Sequence, residues 1–385
     1  MRIALGIRDF SPHKGGAERF LFELMKFLVQ EGHEVHIFAH RFGQDIKGFN
    51  LHKVSAVPFP KSLHILSFAL NCHRGMKRDN FDVTIGVGNT WRADLLQPHG
   101  GVHWCWFWRS LRAYDNPWIW GLKFLGRIFS PKQWAEGIVE DAPYKKAKKI
   151  VAISEMVKRD IIDHYGIPEG KIDVIYNGVD TERFHPRNRR HRKEVRKRYG
   201  LGPEDLLLLF VSHNFRLKGL RYLIQALAIV KKKKEDVKLL VVGRDRDDPY
   251  LRLAKKIGCE GEIFFAGGVP DLERYYPSAD MLVHPTFYDA CSLVVLEALA
   301  SGLPVITTRY NGAGWIISEG KEGFVLEDPQ DVENMAEKIL ALSNPSKLKE
   351  ASIAARRLAQ RYSQQKCYEE MLRVLQEIEG REAKC

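Results

Sequence analysis

The sequence predicts an α/β protein made of two Rossmann-like domains that face each other across a cleft. Short apolar strands alternate with amphipathic helices in the first half of the chain, and the same alternation starts again at Leu206. The 385 residues exceed what one ordinary hydrophobic core accommodates, so two domains are expected. Strands that alternate with helices favour parallel sheets, because each helix returns the chain to the same edge of the sheet.

Each half carries its own series of strand and helix signals. In the first half, strands are predicted at 2–7, 34–39, 83–87 and 150–153, and helices at 18–31 and 155–165. In the second half, strands are predicted at 206–211, 237–242, 262–266, 281–284 and 305–308. Helices are predicted there at 220–234, after Ser292 and at 364–378.

A charged segment with few apolar residues separates the two halves. Residues 181–200 are dense in Arg, Lys and His, which indicates a linker that leads into a short helix. We therefore expect a first domain at 1–180 and a second at 201–362. A polar terminal helix is expected within 363–385.

Composition limits the cellular setting and the class of partner. The six cysteines form no CxxC pair, so disulfides and a zinc site are not expected and a reducing cytosol is favoured. No apolar run approaches the roughly 20 residues of a membrane span, and the N-terminal strand is too short for a signal sequence. The net charge of +12 calls for an anionic partner: a phosphate ligand, nucleic acid or an acidic membrane surface.

The acidic pair Asp289 and Glu297 carries the clearest functional signal. After Ser292 the chain reads as a helix, with apolar residues at helical spacing and Gly302-Leu303-Pro304 to end it. The start of that helix, at Ser292 and Leu293, offers unpaired backbone N–H groups and a positive dipole end to a phosphate. One carboxylate lies before this start and the other inside the helix, so the two would hold hydroxyl groups on either side of a bound diphosphate.

Two cations follow the first strand of the second half. Arg216 and Lys218 stand in the segment 212–220, at the predicted carboxyl end of that strand. An arginine fork and a lysine point charge at such an edge can clamp a diphosphate without a metal ion. The alternative is two solvated cations at the start of a helix.

The first half contains two weaker signals. Gly15 and Gly16 lie between the first strand and the first helix, where they permit close approach of a phosphate; an ordinary turn is the alternative. His99 lies in a loop bounded by Pro and Gly, and a neutral imidazole there would bond a sugar hydroxyl. His103 competes with it for that role.

These motifs resemble those of the retaining GT-B glycosyltransferases of glycosyltransferase family 4. The spacing of Asp289 and Glu297 resembles the acidic-x7-Glu signature, although the family usually has Glu at the first position. Lys218-Gly219 resembles the Arg…Lys-Gly element, and Asn177-Gly178-Val179-Asp180 the hinge typical of the family. The resemblance implies catalytic roles for His99, Asp289, Arg216 and Lys218, and nucleotide-sugar binding by Gly15, Gly16, Val269, Ser292, Leu293 and Glu297.

The resemblance also implies the reaction. Family members transfer a sugar with retention, and the leaving diphosphate accepts the acceptor's proton, so no cofactor and no metal ion are expected. The chain looks most like the glucosyltransferases of the lipopolysaccharide inner core, which implies UDP-glucose as donor and a lipid-linked glycan acceptor. Another family donor, GDP-mannose or a UDP-N-acetylhexosamine, is the alternative. The family often has Gly-Gly-x-x-Glu after the next strand, whereas this chain reads Asn311-Gly312-Ala313-Gly314-Trp315.

A basic aromatic segment at 104–134 remains outside these motifs. It holds six of the eight tryptophans, interleaved with Lys and Arg. Aromatic rings beside cations suit a membrane headgroup boundary, so we expect a protein peripheral to an anionic membrane, on the cytoplasmic face. Trp118, Leu122, Leu125 and Phe129 would share one helical face. The alternative is an insertion that packs into the first domain.

Two other classes of protein fit parts of the sequence. A nicotinamide dehydrogenase shares the Rossmann pattern, but no GxGxxG follows the first strand and no acidic residue ends the second at Ala39-His40. A non-catalytic nucleic-acid binder fits the charge, but it gives no reason for Asp289 and Glu297. We therefore expect no nucleic-acid partner.

Overall fold

The computed structural model describes residues 1–12, 15–44, 46–88 and 90–382. The chain divides into two compact units: Met1–Asn177 with Gln365–Cys385, and Gly178–Gln364. The segment after Gln364 therefore belongs to the first unit, although the chain reaches it through the second.

The first unit is built on a seven-stranded sheet in which all neighbouring strands are parallel. Its strands are β1 (Arg2–Phe10), β2 (Glu34–Phe42), β3 (Asn50–Lys53), β4 (Val83–Gly86), β5 (Leu95–Leu96), β6 (Lys149–Ala152) and β7 (Ile172–Val174), in the spatial order β3-β2-β1-β4-β5-β6-β7. Its helices include α1 (Gly16–Gln30), α2 (Lys61–Arg78), α3 (His103–Leu111), α4 (Pro117–Ile128), α5 (Pro131–Lys146) and α6 (Glu155–Tyr165).

The second unit repeats this design with six parallel strands. They are β8 (Leu206–Val211), β9 (Val237–Val242), β10 (Ile263–Gly267), β11 (Met281–His284), β12 (Val305–Thr308) and β13 (Gly323–Leu326), in the order β10-β9-β8-β11-β12-β13. The helices from residue 192 onward are α7 (Arg192–Arg198), α8 (Leu220–Lys231), α9 (Asp248–Ile257), α10 (Leu293–Ala300), α11 (Val332–Leu342), α12 (Pro345–Ala359) and α13 (Gln364–Glu382). The order reverses between β8 and β11, and ligands of such sheets bind at the carboxyl ends of the strands beside this reversal.

The hydrophobic cores of the two units are built from the apolar runs of the sequence. Every residue of β8 is buried, as expected for a parallel strand covered on both faces. Helix α13 places Tyr368, Met371 and Leu375 in the core of the first unit, with the buried face of α1. The predicted α/β class, with two parallel Rossmann-like sheets and a terminal helix that returns to the first unit, is confirmed.

The charged segment 181–200 is anchored within the second unit. Arg192 and Arg196 donate hydrogen bonds to the two oxygens of Asp280, at 2.6 and 2.8 Å. Arg196 also donates to the backbone oxygens of Ser278 and Asp205. Asp280 directly precedes β11, so these contacts fix α7 beside the amino end of that strand.

Candidate functional site

Lys218 and Asp289 form an ion pair at the reversal point of the second sheet. The Lys218 Nζ lies 2.7 Å from Asp289 Oδ2 and 2.8 Å from the backbone oxygen of Tyr288. Lys218 follows β8 and Asp289 follows β11, the two strands between which the strand order reverses. The structure therefore brings together two of the predicted site residues, although they are 71 positions apart in sequence.

The loop after β8 has a fixed backbone. The Leu217 N–H donates to Asn214 Oδ1, and the Phe287 N–H donates to the Leu217 carbonyl at 2.9 Å. Gly219 has a φ of +75°, and a Cβ there would lie 2.1 Å from the backbone oxygen of Pro285. A side chain at position 219 would therefore push apart the two loops that carry Lys218 and Asp289.

The start of α10 lies beside this pair and lacks a side-chain cap. Ser292 occupies the N-cap position, as predicted, but its hydroxyl makes no capping hydrogen bond. Instead Asn311 Oδ1 accepts hydrogen bonds from the N–H groups of Ser292, at 3.4 Å, and Ala313, at 3.1 Å. The backbone of Asn311 also pairs with Asp289 in an isolated parallel bridge. Because its side chain takes no N–H of α10 beyond the cap, Asn311 holds the acidic loop without filling the helix start that suits a phosphate.

Glu297 lies inside α10 and is largely buried. Its side chain accepts a hydrogen bond from the Tyr276 hydroxyl at 2.8 Å, and the residue is 4% exposed. Tyr276 is itself buried and belongs to the turn before β11. The sequence pattern gave no signal for Tyr276, because a tyrosine outside a motif is usually a core residue.

His284, at the carboxyl end of β11, is a buried residue that sequence reasoning did not single out. Neither ring nitrogen has a hydrogen-bond partner in the described part of the chain. Burial, reinforced by the positive charge of Lys218, lowers the pKa of His284 to about 3. The ring is therefore neutral and adds no charge beneath the Lys218–Asp289 pair.

The other predicted residues of the second unit lie at the same edge of the sheet. Arg216 is exposed in the turn that carries Lys218, two residues earlier. Val269 is half-buried in the loop after β10, next to Gly268, whose Cβ would lie 2.4 Å from the Arg244 side chain. Leu293 is the first residue of α10.

In the first unit, the predicted glycines lie at the start of a helix. Gly15 occupies the N-cap position of α1 in an extended conformation, no side chain caps it, and Gly16 begins the helix. The predicted start at residue 18 is thus two residues late, because glycine has a low helix propensity and its pattern favours a loop. Lys14, which precedes this pair, lies outside the described residues.

His99 is a neutral imidazole beside α1. Its ring lies 5.1 Å from the Phe20 ring, and its Nε2 has no partner among the described residues. Burial lowers its pKa to about 4, so the ring is uncharged at neutral pH. His103, its competitor, is the first residue of α3, and its pKa is also lowered by burial.

A buried carboxyl group fixes the loop between His99 and α3. Glu140 on α5 accepts a hydrogen bond from the His103 N–H, at 2.9 and 3.0 Å from its two oxygens. The Tyr165 hydroxyl donates to the same carboxyl group at 2.9 Å. Burial raises the pKa of Glu140 to about 8. Glu140 thus holds the backbone N–H of His103, four residues beyond His99 in the sequence.

The basic aromatic segment forms α3, α4 and the first turn of α5. Helix α4 buries none of its residues. Trp118, Leu122 and Leu125 on this helix and its C-cap residue Phe129 are 84, 71, 50 and 79% exposed. The predicted shared face therefore exists and points away from the core. Residues of α3 and α5 such as Phe107 and Val139 are instead buried in the first unit.

Two of the cations in this segment have internal partners. Arg109 donates two hydrogen bonds to Asp160, at 2.6 and 2.7 Å. Arg127 donates to Ser110 Oγ and the Phe107 backbone oxygen, and lies over the Trp106 ring. Arg109 and Arg127 are therefore constrained by internal contacts, whereas the sequence pattern suggested free surface cations. Lys123 on α4 is exposed.

The described residues contain no group of three or more His, Cys, Asp or Glu side chains arranged to hold a metal ion. Within the same residues, no helix has the length and apolar character to cross a membrane.

The protein has two Rossmann-like units with parallel sheets, and the second unit carries a lysine and a carboxylate beside an open helix start. This is the architecture of GT-B glycosyltransferases. Sequence profiles of two families match the chain: "Glycosyltransferase Family 4" over residues 14–183 and "Glycosyl transferases group 1" over residues 191–358. The chain belongs to glycosyltransferase family 4, a family of enzymes that retain the configuration of the transferred sugar.

Several relatives are similar to the chain in sequence. An uncharacterized glycosyltransferase of Methanocaldococcus jannaschii is 25% identical over 84% of each chain. The lipopolysaccharide glucosyltransferase WaaG of Escherichia coli is 29% identical, over 50% of this chain and 52% of WaaG, so that alignment spans about half of either protein.

Solved structures show the same fold over nearly the whole length. The crystal structure of WaaG matches with a TM-score of 0.79 at 22% identity, over 97% of this chain and 99% of WaaG. The structure of HepE from Anabaena in complex with UDP-glucose matches with a TM-score of 0.69 at 17% identity, over 98% and 100% of the two chains. The GT-B fold that the sequence resemblance implied is therefore confirmed.

Proposed function

We propose that this enzyme transfers a hexose, glucose from UDP-glucose, onto a lipid-linked or lipopolysaccharide-core acceptor at an anionic membrane surface. The observation that carries the proposal is the Lys218–Asp289 pair beside the uncapped start of α10. WaaG, a lipopolysaccharide glucosyltransferase, and HepE, solved with UDP-glucose, support glucose as the sugar.

In the proposed reaction, the donor diphosphate lies between Lys218 and the N–H groups at the start of α10. Arg216 approaches it from the same turn as Lys218, and Asp289 accepts hydrogen bonds from the sugar hydroxyls. Glu297 holds the ribose hydroxyls, while the backbone near Val269 contacts the base. Gly15 and Gly16 let the start of α1 approach the phosphates or the sugar.

Transfer breaks the bond between the sugar C1 and the diphosphate oxygen and forms a bond from C1 to the acceptor oxygen on the same face. The acceptor's hydroxyl proton passes to the departing diphosphate oxygen, so no protein base is required. Lys218, Arg216 and the helix start stabilise the negative charge that grows on the leaving group. Because these groups neutralise that charge and the family is typically metal-independent, we propose turnover without a metal ion.

His99 is proposed to contact the sugar as a neutral group. An imidazole with a pKa of about 4 carries one N–H donor and one acceptor nitrogen at neutral pH. Such a ring can bond a sugar hydroxyl and stabilise the positive charge that develops at C1, without adding a charge of its own.

A donor panel tests the assignment of substrate. UDP, GDP, ADP, NAD and an oligonucleotide are compared by thermal shift, and UDP-glucose, GDP-mannose and UDP-N-acetylglucosamine by hydrolysis in excess EDTA. We expect UDP to raise the melting temperature and UDP-glucose to be hydrolysed at a rate that EDTA leaves unchanged. A shift with GDP alone would point to a mannose donor, and a shift with the oligonucleotide alone to a nucleic-acid binder.

The exposed face of α4 is proposed to dock on the membrane. Transfer of a large apolar side chain out of water contributes roughly 1.5–3 kcal/mol, so Trp118, Leu122, Leu125 and Phe129 together outweigh the single exposed cation Lys123. A cation near an anionic surface adds about 1 kcal/mol, which salt screens. Binding should therefore be mainly apolar, with a smaller dependence on salt.

Liposome co-sedimentation tests this docking. Replacing the four apolar residues of α4 with serine should abolish sedimentation with anionic vesicles and leave UDP affinity unchanged. A matched control, Leu63→Ser with Leu70→Ser, removes two exposed leucines from α2 and should sediment like the parent. Sedimentation of the fourfold variant at the parental level would refute the role of α4. Arg109 is left intact in both variants, because its replacement would break the pair with Asp160.

A further inference from the structure

A cavity of about 460 Å³ lies in the second unit, away from the donor site. Ala279 and Asp280, directly before β11, and Leu303, shortly before β12, form part of its wall. The cavity is therefore at the amino edge of the sheet, whereas Lys218 and Asp289 lie beyond the carboxyl ends of β8 and β11. Its volume falls within the range of about 300–1,000 Å³ that is usual for small-molecule sites.

The wall of this cavity is mainly apolar. Pro186, Pro277, Leu303, Leu348 and Ile353 contribute carbon surface. Ile353 is 48% exposed, so part of this carbon surface is open to a ligand. Such a wall suits the hydrocarbon or aromatic body of a ligand rather than a sugar.

The charges around the cavity are positive and two of them are uncompensated. Asp280, the one acidic residue of the wall, is already paired with Arg192 and Arg196. Arg189 and Lys349 are exposed at the edge, and neither has an ion-pair partner among the described residues. An anionic group on an otherwise apolar ligand would supply the missing partner.

The helix ends nearby add to this preference for an anion. Pro345, Leu348 and Lys349 belong to the first turns of α12, so the positive dipole end of that helix lies near the cavity edge, with Asn344 Oδ1 accepting hydrogen bonds from the Ser346 and Lys347 N–H groups. The negative end of α10 is capped, since Ser352 Oγ donates to the Gly302 backbone oxygen and Arg356 donates to that of Ala300. The carbonyl groups of α10 thus do not compete for Arg189 and Lys349.

From this arrangement we propose that the cavity is a second ligand site, for a small soluble amphiphile with an apolar body and one carboxylate, sulfonate or phosphate group. Arg189 and Lys349 bind the anionic group, and the apolar wall covers the body. The site is separate from the donor site, at the opposite end of α10. That helix has eight residues and is about 12 Å long, so a ligand here would not compete with the nucleotide.

A pair of fluorescent probes tests the site. The probe 8-anilinonaphthalene-1-sulfonate carries an apolar body with a sulfonate, and N-phenyl-1-naphthylamine is nearly the same body without it. The variant Arg189→Ala with Lys349→Ala should weaken binding of the sulfonate at least about tenfold, as expected for lost charge-assisted contacts, and change the neutral probe little. The variant Leu348→Trp fills the cavity and should weaken both probes.

The controls separate this cavity from other apolar surfaces. Arg190→Ala with Lys347→Ala removes two exposed cations that do not line the cavity, and should bind both probes like the parent. Excess UDP should displace neither probe from the cavity. Unchanged sulfonate affinity in the Arg189 and Lys349 variant, with a parental melting temperature, would overturn the proposal. Loss of vesicle binding in that variant would also overturn it, because the cavity would then be part of a membrane surface.

Discussion

Glu140 offers a test in which structure, pH and stability are linked. Burial raises the pKa of its carboxyl group from 4.5 to about 8. A carboxyl group whose pKa is higher in the folded state stabilises the fold below its unfolded pKa, and this contribution is lost as the pH rises through the folded value. The contribution of Glu140 to the free energy of unfolding should therefore fall between pH 5 and pH 8. The linkage relation gives a loss of about 3 to 4 kcal/mol over that range.

Glu140→Gln isolates this contribution. The amide oxygen can still accept hydrogen bonds from the His103 N–H and the Tyr165 hydroxyl, but it does not ionise. Six of the eight tryptophans lie at 104–134, so urea unfolding followed by tryptophan fluorescence reports mainly on the first unit. We expect the variant to gain stability relative to the parent as the pH rises from 5 to 8.

The quantity to compare across pH is the difference in the free energy of unfolding between Glu140→Gln and the parent protein. Histidines such as His73, whose pKa is lowered by burial, change stability in the opposite direction, and they contribute equally to both proteins. If the Glu140→Gln difference stays flat between pH 5 and pH 8, then the carboxyl group is ionised without penalty and our account of its burial is wrong.

Three predictions concern the proposed reaction. Lys218→Met keeps the apolar stem but removes the charge, so transfer should fall by orders of magnitude while the melting temperature stays within a few degrees; a parental rate would place the phosphate clamp elsewhere. Glu297→Gln keeps an acceptor for Tyr276 and should weaken UDP binding about ten- to a hundredfold, for a loss of roughly 1.5–3 kcal/mol, measured by calorimetry. His99→Ala should slow transfer about three- to tenfold, for roughly 0.5–1.5 kcal/mol. Because the pKa of His99 is about 4, the parental rate should show no step between pH 6 and 8 from this residue, and a step that His99→Ala removes would contradict a neutral role.

The sequence predicted best the strands and helices whose hydrophobic pattern fits one type of element only. Strand β8 is a continuous apolar run and helix α6 is an amphipathic helix with Ser154 as a capping residue, and both have their predicted bounds. Strand β5 has only two residues, and β3 is a polar edge strand, so neither shows a period that can be read from sequence. Their place in the sheet depends on pairing with neighbours distant in the chain.

The sequence predicted those candidate site residues that stand in a short motif of their own. Lys218 and Asp289 each stand in a recognisable segment, and the topology of a parallel sheet brings such loops to one edge. Asn311, Tyr276 and Glu140 were missed because each acts through a hydrogen bond to a residue far away in sequence. The internal partners of Arg109 and Arg127 were missed for the same reason, since charge in a sequence does not reveal which cations are already paired.

The Lys218–Asp289 pair also bears on how Lys218 would be held in place for the proposed diphosphate. Neither side chain is more than about a quarter exposed, so each charge needs a partner close by. His284 beneath them is neutral and offers no compensation. In the proposed reaction the diphosphate replaces Asp289 as the partner of Lys218, and the released carboxylate turns to the sugar hydroxyls. In that proposal the same carboxylate holds Lys218 in place before the donor binds and contacts the transferred sugar afterwards, so that Asp289 has two successive partners at the end of β11.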